Sequence, residues 1–272
     1  MGYPCMIEVA SGGTCGMAAF GGIFPGFEPG FVYTTPKVGG FELAVGVYDP
    51  ANVGLGQLNR SPLPRLEAEA SFGIQDTVRV FASGFWQTME GTVPDTSGGA
   101  PGALKDISAT AYGAQGGLMA TFGPVMIGGA GFAGQGLSPI THVDENQSAF
   151  DSLATPRKSR GGFGLGALTF EPIHLKVAGG AGVFMLDKSK NDPEPISPAG
   201  APGNPQLLRR NLGLTAGLYQ TTGPVHFALE YFRAEHTLHE YGEARADNPN
   251  LIDIKTPSQA VNFINAGMTV AW

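Results

Sequence analysis

The sequence predicts an all-β fold, a transmembrane antiparallel β-barrel. Three observations predict it: a composition rich in glycine and poor in charge, apolar residues recurring with period two, and connections alternating between short and long. At 272 residues the chain allows one large domain or two small ones. Glycine supplies 42 residues, about twice ordinary usage, and charged residues only 14 %, against about 25 % in soluble domains. Yet mean hydropathy is only +0.02. A soluble globule covers its apolar core with charge, and much of that charge is missing here. A barrel in lipid resolves the conflict, because its outward band needs apolar side chains and almost no charge. No run of about 18 apolar residues exists, so a membrane-spanning helix is excluded. The net charge of −7 argues against nucleic acid as a partner.

From residue 28 onward, β-prone stretches of about ten residues follow one another. Strands are expected at 31–36, 40–49, 64–73, 77–89, 107–121, 125–134, 161–171, 173–186, 209–221, 225–236 and 259–272, about eleven in all. Tight connections fall at Pro36–Gly40, Gly73–Asp76, Phe122–Pro124, Glu171–Pro172 and Thr222–Pro224, each with the Gly, Pro or Asp that turns demand. Between them lie long polar segments at 50–63, 90–106, 135–160, 187–208 and 237–258. Short turns on one side of a membrane and long loops on the other produce this rhythm.

Within strands, one face is apolar and the other small or polar. Phe41, Leu43, Val45 and Val47 oppose Glu42, Ala44 and Gly46. Leu212, Leu214, Ala216 and Leu218 oppose Asn211, Gly213, Thr215 and Gly217. Phe227, Leu229 and Tyr231 oppose His226, Ala228 and Glu230, and Ile264, Ala266, Met268, Val270 and Trp272 oppose Asn265, Gly267, Thr269 and Ala271. The expected division sets apolar residues toward lipid and small or polar ones toward the lumen. A half-solvated soluble sheet alternates too, but does not account for so much glycine or so little charge. Phe31, Tyr33, Phe72, Phe122, Phe170, Tyr219 and Trp272 sit near strand ends, where rings suit the headgroup level.

A charge on the lipid face costs about 2–4 kcal/mol at mid-bilayer, so charges inside strands should point inward. Arg65, Glu67 and Glu69 share one face, and Arg79, Lys176, Glu42 and Glu230 alternate with apolar neighbours. They are expected to line a pore, either as a field acting on ions or as pairs that keep a lumen wet, as Arg65 with Glu67. His236 and His239 on a strand face opposite ways, so no metal site is expected there. No catalytic constellation and no phosphate-cradling loop is found, and neither enzyme activity nor a cofactor is expected. Cys5 and Cys15 lie close together in a Gly-rich segment, as a loop disulfide of an oxidising compartment or as two unpaired thiols. Met1 to Cys5 opens no signal peptide.

The stretch Phe31-Val-Tyr-Thr-Thr-Pro-Lys-Val-Gly-Gly-Phe-Glu-Leu-Ala-Val-Gly-Val-Tyr48, the Gly-rich strand Tyr112–Phe122 and the terminal strand ending in Trp272 resemble the trimeric porins of the Gram-negative outer membrane. The resemblance implies a sixteen-stranded barrel of which residues 28–272 are the later strands. Residues 1–27 would correspond to the constriction loop, with Glu8 facing the basic wall. It also implies a passive diffusion channel for ions and small hydrophilic solutes, a homotrimer, and contact with outer-membrane lipids and lipopolysaccharide. A non-channel barrel serving as adhesin or anchor is the competing expectation. Eleven strands do not close a single-chain barrel, which uses even numbers. Either residues 1–27 supply a twelfth strand or, as favoured here, the chain is part of a longer one, which also accounts for the missing signal peptide.

Overall fold

The computed structural model describes residues 29–50, 58–75, 77–95, 104–137, 149–151, 153–192, 207–244 and 252–270. Fourteen strands occur among them: β1 (Gly30–Thr34), β2 (Phe41–Tyr48), β3 (Leu58–Arg60), β4 (Arg65–Ile74), β5 (Val78–Pro94), β6 (Leu104–Phe122), β7 (Val125–Gln135), β8 (Lys158–Phe170), β9 (Leu175–Leu186), β10 (Leu208–Thr222), β11 (Val225–Leu238), β12 (Tyr241–Ala244), β13 (Ile252–Lys255) and β14 (Ser258–Val270). All pairings are antiparallel, and the main path runs β1-β2-β4-β5-β6-β7-β8-β9-β10-β11-β14. Those eleven strands are the eleven expected ones. The short β3 pairs with β5, and β12 with β13 forms a separate hairpin between β11 and β14. Both arise inside segments expected to be loops, and β5 and β6, at 17 and 19 residues, run further into the loop side than expected.

The turns behave as their residues demand. Gly39, Gly123 and Gly223 adopt positive φ, where a β-carbon is unfavourable. After β8 a 3₁₀ turn at Glu171–Ile173 ends on His174 in the left-handed region.

Cross-strand register places every outward residue on one continuous face. From Leu66 to Ile74 on β4, Leu212 to Leu218 on β10 and Val225 to Tyr231 on β11, its outward slots hold no charge. Leu66, Phe72, Leu118, Ile127, Leu218 and Phe227 lie exposed there. Outward charges such as Glu90, Arg160, Arg210 and Arg233 begin only at the loop-side ends. An apolar belt of this kind suits a lipid surrounding. Phe31, Tyr33, Phe72, Phe122 and Phe170 are exposed, as the girdle reading expects. Tyr219 departs from it: register turns its ring to the inner face, where it is buried. Trp272 lies outside the described residues.

The inner face also differs from expectation. It is small, as read, but over β6–β9 apolar rather than polar. Aromatic rings lie along the wall on top of cross-strand glycines. A β-carbon on Gly117 would stand 2.8 Å from Phe81 Cζ, and one on Gly161 2.5 Å from Phe132 Cε1. The glycines thus provide seats for rings that would otherwise project into the lumen. Toward the loop side Phe85, Met89, Phe132, Phe184 and Leu186 join Leu58, Leu137, Phe150 and Leu207 in one buried cluster.

Among the described residues β1 pairs only with β2, and β14 only with β11. Each leaves a row of unpaired backbone groups, and in lipid each such group costs several kcal/mol.

Candidate functional site: a charged strip on the inner face

Three neighbouring strands carry most of the inward charges. β2 contributes Glu42, β4 contributes Arg65, Glu67 and Glu69, and β5 contributes Arg79, all of one parity in the register. Arg65 Nε stands 2.8 Å from Glu67 Oε1, and the guanidinium lies over the Tyr48 ring, 5.2 Å from its centroid. Arg79 Nη2 approaches Glu69 Oε1 at 3.4 Å and donates to Ser71 Oγ at 3.2 Å. The charges therefore interlock along the wall rather than projecting singly. Pairing between Arg65 and Glu67, one of the two readings of the sequence, is the observed arrangement. Arg65 is wholly buried at 0 % exposure, whereas the Arg79 side chain is 35 % exposed. Arg79, Lys37 and Glu42 border a cleft of about 280 Å³ on the turn side, with Ser71, Thr77 and Thr121. This cleft is one polar part of the inner face.

A second polar patch lies on β9–β11. Tyr219 donates to Glu230 Oε1 at 2.6 Å, and Lys176 Nζ sits 5.7 Å from the centroid of the same ring. Asn211 and His236 meet at 2.6 Å across the β10–β11 ladder. Register sets Arg65, Glu67, Glu69, Arg79, Lys176, Glu42 and Glu230 on the inner face, in these two groups and not in one. From Ile107 to Leu186, the inward slots of β6–β9 carry a single charge, Lys176.

Beyond the strands, His239 Nε2 donates to Leu186 O, 2.8 Å away, and so points away from the Asn211 contact of His236. Burial holds the His239 imidazole below its ordinary pKa, a tendency reinforced by Lys188 and Arg209. No group of three His, Cys, Asp or Glu is gathered as a metal site among the described residues. Glu8, Cys5 and Cys15, and with them the constriction-loop assignment of 1–27, lie outside those residues.

Two carboxylates in the loop-side connections are the features that sequence reasoning missed. Burial alone raises Asp192, but hydrogen bonds from Arg157 and the Ser189 backbone N–H outweigh it and hold its carboxyl below the usual range. Burial likewise opposes ionisation of Asp151, and donation from Ser189, Thr155, Leu153 and Asn191 outweighs it. Neither segment has a periodicity to read. The nearest signal was the concentration of Asp, Asn and Ser at 187–192.

The inner face, apolar belt and turn–loop alternation together define part of the wall of a transmembrane antiparallel β-barrel. Comparison with solved structures agrees. The outer-membrane expressed OmpT of Vibrio cholerae superposes with a TM-score of 0.54 at 14 % identity, over 98 % of this chain and 72 % of that one. The anion-selective porin from Comamonas acidovorans gives 0.51 at 9 % identity, over 87 % of this chain and 57 % of the porin. An in-vitro folded OmpT of Vibrio cholerae gives 0.50 at 15 % identity, over 89 % and 63 %. The chain thus spans between about half and three quarters of the length of these barrels. No protein-family model matches the sequence, and no curated protein does.

Proposed function

We propose that this protein is an outer-membrane porin, a passive diffusion channel for ions and small hydrophilic solutes. The observation that carries the reading is the coexistence of an uncharged outward belt with an inward strip of Glu42, Glu67, Glu69 and Arg79. Charge confined to the inner face of a membrane barrel serves solutes in its lumen. Lys176 and Glu230 extend the same role to the second patch. Transport down a gradient asks nothing more of these side chains than a fixed field, and requires neither catalyst nor cofactor.

The open edges of β1 and β14 fit a larger barrel, and we read the sheet as part of a sixteen-stranded one. On the same reading three copies assemble as a homotrimer in the outer membrane, against its phospholipid and lipopolysaccharide. The apolar inner wall favours a second reading, a barrel that anchors or adheres without conducting. Purified protein in planar bilayers separates the two. Stepwise ohmic conductance supports the channel, and inserted, folded protein that passes no current overturns it. Chemical cross-linking in detergent reads the trimer as a band at three times the protomer mass.

A further inference from the structure

The loop-side end of the inner face is occupied. Phe150, only 2 % exposed, belongs to the cluster formed by the inward Phe132 and Phe184, whose rings stand 5.6 Å apart. Its ring lies so close to Gly136 that a β-carbon there would be 2.9 Å from Phe150 Cζ. The segment that carries it, in the β7–β8 connection, is strapped to the β9–β10 connection. Arg157 Nε donates to Asp192 Oδ2 at 2.7 Å and Nη2 to Oδ1 at 2.5 Å, while Nη1 donates to Phe150 O. Asp151 Oδ1 accepts the backbone N–H of Leu153 and Thr155, both at 2.8 Å. Its Oδ2 accepts Ser189 Oγ at 2.5 Å and Asn191 Nδ2 at 3.0 Å. Arg157 and Asp192 side chains are 3 % and 4 % exposed. A bidentate pair so buried, with its remaining atoms satisfied, fixes one geometry.

That geometry matters because the inward charge is uneven. The field of a charge in salt water decays over about 8–10 Å. A charged strip on one part of a wide lumen selects only among ions that pass close to it. An apolar filler over the uncharged part removes the route on which ions would escape the strip, and its low-dielectric surface focuses the field into what remains.

We propose that residues 149–151 and 153–157 form a fixed inward plug over the apolar wall that confines permeating ions to the charged strip, with Asp151, Arg157 and Asp192 as its positioning residues. The proposal rests on the channel reading above. A plain structural cap makes a different prediction: its loss lowers stability but leaves the strip's influence on ions intact.

The test is a coupling measurement. Reversal potentials under a KCl gradient are recorded in planar bilayers for the parent, for Asp192→Asn, and for Asp192→Asn with Arg157→Gln, each with and without Glu67→Gln, the strip charge whose cross-strand neighbour Phe85 packs in the same cluster as Phe150. In the parent Glu67→Gln shifts the reversal potential. In both strap variants the reversal potential moves toward zero, and the shift caused by Glu67→Gln falls to less than half. Equal shifts in parent and strap variants overturn the proposal while leaving the channel standing. A folded parent that inserts without conducting removes the channel and the plug's role together. Should the Asp192 variants fail to fold, Ser189→Ala, which deletes the hydroxyl donated to Asp151, carries the same comparison with the same two outcomes.

Discussion

Two parts of one inner face are built by the same alternation and filled by opposite chemistry. On β2, β4 and the turn-side end of β5 the inward slots hold Glu42, Glu67, Glu69, Ser71 and Arg79. On β6–β9 they hold Gly113, Gly117, Ala130, Phe132, Phe163, Leu165 and Phe184. The backbone is alike in both, with unbroken antiparallel registers. The difference teaches that period two decides which side a residue faces and nothing about whether that side is wet. In the charged part, opposite charges pair along the wall, Arg65 with Glu67 and Arg79 with Glu69. In the apolar part, rings pack over glycines and a loop segment packs on them.

This contrast is open to direct attack, and the largest effects fall on the apolar part. Arg157→Ala leaves the Asp192 carboxylate buried beside no guanidinium, and a cost of about 3–5 kcal/mol is expected. Phe184→Ala, at a site 1 % exposed, is expected to cost a similar 3–5 kcal/mol through lost contacts and a cavity. Urea titration of the folded barrel, followed by its gel mobility, reads both. Next comes a test of sidedness. Leu218→Arg, on the outward belt, is expected to cost about 2–4 kcal/mol if it lies at mid-bilayer depth, whereas Ala216→Leu, also outward, is tolerated. If Leu218→Arg is neutral, the outward face is not in lipid.

The strap also predicts a pH response. Both carboxyls titrate below the ordinary carboxylate range in the folded protein, so their contribution is complete above that range and is lost as pH falls through the lowered values. His239, with its pKa depressed by burial, loses its contribution as pH falls through its own lowered value. Protection of the backbone amides of 149–151 and 153–157, taken relative to the intrinsic exchange rate at each pH, is expected to be high at pH 7 and lower near pH 3. Unchanged protection at pH 3 contradicts the carboxylate strap. The smallest effect belongs to Glu90→Gln at the loop-side rim. Its pair with Arg60 is 3.5 Å long and exposed on both sides, and less than about 1 kcal/mol is at stake.

How much of this was readable from the sequence follows the same division. Strands whose two faces differ in hydropathy, such as β2, β11 and β14, were legible in position and in facing. Their turns were legible because Gly39, Gly123 and Gly223 sit where positive φ is needed. The inward placement of Arg79 and Lys176 followed from the same logic. The apolar inner wall was not legible, because in Gly161-Gly-Phe-Gly-Leu-Gly166 both faces are small or apolar and alternation has no contrast to display. Tyr219 was misplaced because strand ends carry aromatics on either face. The strap was invisible for a different reason: Asp151, Arg157 and Asp192 meet only after two connections fold together, and no spacing rule links residues 35 apart.

The length of β5 and β6 carries one more consequence. A tilted strand needs about 9–11 residues to cross a bilayer, and these have 17 and 19. At roughly 3.3 Å per residue the excess of six or more residues carries this hairpin about 2 nm further along the strand direction on the loop side, where β3 pairs with β5 and Met89, Ala109 and Ala111 are buried. The extra length therefore serves to hold the loop-side cluster in place rather than to cross lipid.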